Sequence, residues 1–126
     1  MGKRYLIDSN VIIDFCNGKL NLGCKNLLVN IEPEISIITQ IELFASKNIS
    51  QDEYALLQKF VTMCFIHSLN TDLVNTTIEI RQNYKTKLPD AIIASTAICK
   101  ELILISSNTS DFKNIRGLHF INPNDI

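Results

Sequence analysis

Five apolar runs of strand length recur along this chain, and between them lie stretches whose apolar residues return every three or four positions. That alternation is the pattern of a parallel sheet. Parallel neighbours cannot be joined by a tight turn, so each connection is a crossover helix that buries one face on the sheet. The spacing predicts strands at Arg4–Asp8, Glu34–Ile38, Cys64–Ser68, Leu102–Ser106 and Leu118–Ile121. Two short helices, Asn10–Cys16 and Leu20–Asn30, fit between the first two strands, with Gly18 as the stop signal between them. Thr39–Ser46 reads as a short helix, and Ser50 opens another through a capping box with Glu53, continuing through Leu56, Leu57, Phe60 and Val61. Asn70 or Thr71 starts a helix carrying Leu73, Val74, Thr77, Ile78 and Arg81. Pro89 suits the first turn of the next, in which Ile92, Ile93, Thr96 and Ala97 form the buried stripe.

Three acids fall where such a sheet would deliver them to one edge. Asp8 closes the first strand, Glu42 lies in the helix just after the second, and Asp90 opens the helix that feeds the fourth. In open parallel sheets the site lies beyond the carboxyl ends of the strands, where strand order reverses. Carboxylates gathered there would repel one another by about 4 kcal/mol per pair at 4 Å and an effective dielectric near 20. A hard divalent cation with oxygen ligands, Mg²⁺ or Mn²⁺, is the usual means of holding them together.

Each acid also has a simpler reading. Asp8 can cap the following helix, Glu42 is a good helix former, and Asp90 favours a helix N-terminus. Their conjunction, each at the expected end of its element, favours a site. Asp14, Glu79 and Glu101 lack such placement and read as solvated or paired. Arg81, Lys85 and Lys87 form a basic run leading toward Asp90, either as a solvated helix face or as phosphate contacts beside the acids.

At 126 residues the chain has the size of one domain, spanning 1–126, and its 46% hydrophobic content argues against disorder. A net charge of −1 excludes a global basic field, so any nucleic-acid contact must come from a local patch. The basic N-terminus is followed by an apolar run broken at Asp8, Asn10 and Asp14, which is not a signal peptide, and no run approaches the ~18 apolar residues of a membrane span. A cytoplasmic location is the expectation. Cys16, Cys24, Cys64 and Cys99 show no metal-ligand spacing and read as buried free thiols, and His67 and His119 as sheet or edge residues.

The segments YLIDSNVIIDF, IITQIELF, KLPDAIIASTA and ILISSNTSDF resemble, in order and spacing, the four motifs of PIN domains, and most of all those of the VapC-type toxins of toxin–antitoxin pairs. The resemblance spans Tyr5 to about Phe120. It implies a three-layer α/β/α domain with a central, mostly parallel five-stranded sheet, acting as a metal-dependent endoribonuclease. It also implies a homodimer, with a cognate antitoxin as partner. By the same likeness Asp8, Glu42 and Asp90 bind Mg²⁺ or Mn²⁺, while Ser9 and Asn10 orient Asp8 or a metal-bound water. The last motif departs from the commonest form: Ser106 keeps a hydroxyl, Ser107 replaces a basic residue, and either Asn108 or Asp111 fills the fourth place.

The chemistry so implied is hydrolysis of an RNA phosphodiester. A housekeeping RNA-processing nuclease and a catalytically silent PIN-like binding module are the alternatives within the family. A phosphatase with an aspartyl nucleophile would want Asp-x-Asp after the first strand, where this chain has Asp8-Ser9-Asn10.

Overall fold

The computed structural model describes residues 2–126. Its strands are β1 (Tyr5–Ile7), β2 (Glu34–Ser36), β3 (Phe65–His67), β4 (Ile103–Ile105) and β5 (Phe120–Ile121). The helices are α1 (Ser9–Cys16), α2 (Leu22–Val29), α3 (Ile37–Phe44), α4 (Gln51–Thr62), α5 (Thr71–Asn83), α6 (Leu88–Cys99) and the single turn α7 (Thr109–Phe112), and a 3₁₀ turn follows at Pro123–Asp125. The sheet runs β3-β2-β1-β4-β5, and every pair is parallel, so it is wholly and not mostly parallel.

Alternation along the strands divides the core in two. Ile7, Ile35 and Ile105 pack with Val11, Ile12, Leu57 and Phe60 on one face, whereas Leu6 and Leu104 pack with Ile93, Ala97 and Phe112 on the other. Helix α6 is buried without a break from Ala91 to Ala97, not only along the predicted stripe. It lies between the sheet and α5, against which Thr77 Oγ1 approaches Ser95 Oγ at 2.9 Å.

The second strand is shorter than predicted. Ser36 Oγ accepts from Ile38 N at 3.1 Å and starts α3 at Ile37, so the cap overrides the strand preference of two isoleucines. Helix α2 likewise begins after Asn21, whose Oδ1 accepts from Cys24 N at 2.7 Å, and α5 begins after the cap Asn70. Gly18 stands at φ +69 in the turn between α1 and α2, a conformation other residues rarely adopt. All four cysteines are free, but only Cys24 is fully buried. Burial pushes the Cys64 thiol up to about 12. His119 is exposed just before β5, while His67 ends the edge strand β3 and is buried.

His67 belongs to a cluster that the sequence did not suggest. Glu34, only 7% exposed, receives Arg4 Nε and Nη2 at 2.9 and 2.6 Å and lies 2.8 Å from His67 Nε2, tying β1, β2 and β3 together. Burial pushes the Glu34 carboxyl up, but the hydrogen bonds and charges of Arg4 and His67 outweigh it and hold it below the usual range. A depressed carboxyl contributes stability that is present above its unfolded pKa and lost as pH falls through its folded pKa. Glu34→Gln should therefore lower stability by about 1–3 kcal/mol at neutral pH, read as a lower urea midpoint. The gap to the parent should close as pH falls below ~4.

Candidate functional site

The chain passes from β1 outward through β2 to β3, then returns to place β4 on the other side of β1. The switch point therefore lies between β1 and β4, and the residues that follow these two strands meet above it. Asp8 follows β1 and Ser106 follows β4. Ser106 Oγ donates to Asp8 Oδ2 at 2.7 Å, and Asp8 N donates to Ile105 O at 3.0 Å.

Asp8 is 4% exposed and in the extended conformation of a helix cap. Its Oδ1 accepts from Ser9 N at 2.8 Å, and its Oδ2 also accepts from Asn10 Nδ2 at 3.2 Å. Asn10 Oδ1 accepts from Ser107 N at 3.1 Å, and Ser106 Oγ accepts from Asn108 N at 3.1 Å, so the loops after β1 and β4 are laced together around this carboxylate. Capping and site geometry coincide here, because the cap bond takes one lone pair of Oδ1 and leaves the other open, while Oδ2 is held by two donors.

Glu42 sits on α3, with Ser9 Oγ at 3.4 Å from its Oε1. Loss of hydration raises its carboxyl, the charge of Asp8 adds to the rise, and Ser9 offsets part of it. Asp90, third residue of α6, is pushed up to about 6 by loss of hydration and then by a hydrogen bond with the Asp111 carboxyl. The charges of Asp111, Asp8 and Glu42 push the same way. Asp111, in α7, accepts from Asn108 Nδ2 at 2.5 Å. Asn108 occupies the N-cap position of α7, yet its side chain makes no cap bond and turns to Asp111 instead.

Four acids from four segments thus feel one another, and the ion pairs among the described residues lie elsewhere, at Glu34. No three His, Cys, Asp or Glu side chains among those residues are close enough to enclose one ion. An open set of carboxylate oxygens with no ion pair to a cationic side chain among the described residues suits Mg²⁺ or Mn²⁺, which keeps several waters and takes few protein ligands. Arg81, Lys85 and Lys87 are exposed and make no ion pair among the described residues; Lys87 holds the N-cap position of α6. The sequence reading passed over Thr109 and Asn122, joined at 2.9 Å across α7 and the end of β5. The Asn122-Pro123 dipeptide was the available signal for a cap there.

The PIN domain family model matches residues 5–118. This chain belongs to the PIN domain family. Its structure resembles a toxin–antitoxin complex chain from Klebsiella pneumoniae at 30% identity and TM-score 0.74, over 94% of this chain and 97% of that one. It also resembles VapBC2 from Rickettsia felis bound to a promoter DNA fragment, at 24% identity and TM-score 0.78, over 94% and 97% of the two chains. DNA-bound VapBC from Salmonella typhimurium matches at 21% identity and TM-score 0.81, over 97% and 99%. A search of curated protein sequences gave no significant match.

The acidic cluster makes a stability prediction that needs no substrate. A carboxyl raised by its neighbours contributes stability that is present below its unfolded pKa and lost as pH rises through its folded pKa, here about 6. The metal-free chain should therefore lose stability as pH climbs from ~4 through this range. Asp90→Asn should flatten that decline and raise the midpoint of thermal unfolding at neutral pH by a few degrees in differential scanning fluorimetry.

Proposed function

We propose that this PIN domain is a metal-dependent endoribonuclease and the toxin of a toxin–antitoxin pair. The observation that carries the reading is the approach of Asp8, Glu42, Asp90 and Asp111 at the strand-order switch, where loss of hydration and the charges of the other three raise Asp90 and none of the four forms an ion pair among the described residues. Asp8, Glu42 and Asp90 would hold Mg²⁺ or Mn²⁺ in part through the waters the ion keeps, with Asp111 as a further oxygen donor. When bound, the ion supplies a nucleophilic water at neutral pH and draws charge from the phosphoryl group.

The rest of the work falls to the chain's own residues. Ser106, Asn10 and the Ser9 amide fix Asp8, so that the free lone pair of Oδ1 keeps one direction. Asn108 fixes Asp111 in the same way. Exposed Arg81 in the last turn of α5, with Lys85 and Lys87 in the link to α6, would provide phosphate contacts on an otherwise weakly charged chain.

An apolar groove beside Glu42, lined by Ile13, Cys16, Leu43 and Leu56 of α1, α3 and α4, favours a protein partner that lays an apolar segment there. A basic side chain carried on that segment would then reach the acids and inhibit the site. Val74 and Ile78, one turn apart and exposed on α5, favour a second copy as the other partner. Failure of a co-expressed neighbouring gene product to bind or inhibit would make a housekeeping RNA-processing nuclease the better reading.

Asp8→Asn and Asp90→Asn should each reduce cleavage of single-stranded RNA by at least ~100-fold, consistent with loss of a ligand to the catalytic ion. The far-ultraviolet circular dichroism spectrum should be unchanged. Excess EDTA should abolish cleavage, and Mn²⁺ or Mg²⁺ should restore it. Cleavage that survives either substitution or EDTA would rule the mechanism out. Native mass spectrometry at micromolar concentration should show a dimer, and a monomer alone would remove the second copy.

A further inference from the structure

Helix α7 carries Asp111 but is a single turn of four residues, far too short to hold its shape unaided. Its two ends are anchored by the same strand. At the C-terminal end, buried Phe112 packs on Phe120 of β5 with ring centroids 6.1 Å apart. At the N-terminal end, Asn122 Nδ2 donates to Thr109 Oγ1 at 2.9 Å. Phe120 and Asn122 are two apart on an extended segment and so share a face, while Thr109 and Phe112 are three apart on a helical turn and also share a face. The strand period of two therefore meets the helical period of three to four at two points, and Asp111 lies between them.

We infer that Asn122 is a positioning residue for the acidic site: through Thr109 it holds α7, and with α7 the Asn108–Asp111 pair, in place beside Asp90. This rests on the function proposed above. Asn122 has a second bond, in which its Oδ1 accepts from Asn124 N at 2.9 Å and caps the closing 3₁₀ turn. Its acceptor serves that turn and its amide donor serves the site, so the two roles can be separated from the Thr109 side.

Thr109→Val removes the hydroxyl at nearly constant volume and leaves the cap on Asn124 intact. Thr109→Ser keeps the hydroxyl. The full chain would be examined without metal by amide hydrogen exchange over Ser110–Phe112, and by calorimetric titration with Mn²⁺ alone. We expect faster exchange of α7 and about 10-fold weaker Mn²⁺ binding in Thr109→Val and in Asn122→Ala, the range for groups that orient ligands. Thr109→Ser should behave as the parent, and the double variant Thr109→Val/Asn122→Ala should be no worse than either single one. Unchanged exchange and Mn²⁺ affinity in both single variants overturn the inference, as does a Thr109→Ser variant as impaired as Thr109→Val. A parent chain that binds no Mn²⁺ overturns the functional reading and this inference with it. A parent that binds Mn²⁺ beside variants that bind it equally overturns this inference alone.

Discussion

The Ser106–Asp8 hydrogen bond spans the point where the order of strands reverses, and the geometry of the acidic site follows from it. Any open parallel sheet has such a crevice, but side chains must be fixed across it before it can act on a ligand. Here one hydroxyl donates to the carboxylate of the neighbouring strand and accepts an amide from its own loop. Asn10 makes the reciprocal link from the other side. The two loops become one rigid unit without a cation, and the charge of Asp8 stays available.

The molecule treats its clustered acids in two opposite ways. Glu34 is neutralised in place by Arg4 and His67, and serves to join three strands. Among the described residues Asp8, Glu42 and Asp111 receive only neutral donors, and loss of hydration and the charges of these three acids push the Asp90 carboxyl up. Residual strain of this kind is costly for folding and useful for binding, since a cation that enters is rewarded by the repulsion it removes.

Much of this was legible in the sequence because it is written in local patterns. The five strands, the crossover helices, and the places of Asp8 after a strand, Glu42 in the helix that follows another and Asp90 at a helix start follow from periodicity and element ends. What escaped depends on contacts between residues far apart in the chain. Glu34 looked like an ordinary strand residue, and nothing local joins it to Arg4 thirty positions earlier or to His67 thirty-three positions later. Ser36 was hidden for a different reason: the isoleucines on either side read as continuous strand, and only the bond from Ile38 N shows where the backbone turns. The tie between Asn122 and Thr109 joins an edge strand to a helix too short to leave a periodic signal.

The direct passage from β2 into α3, with Ser36 as the last extended residue and Ile37 as the first helical one, leaves no loop to absorb a change of length. One residue inserted between Ser36 and Glu42 would swing the Glu42 carboxylate by about 100° around the helix axis, away from Asp8. The segment 45–50 between α3 and α4 has no such constraint and lies on the surface. Change in chain length is therefore partitioned along this fold: segments that enter the acidic crevice can evolve by substitution alone, while those that leave it are free to grow.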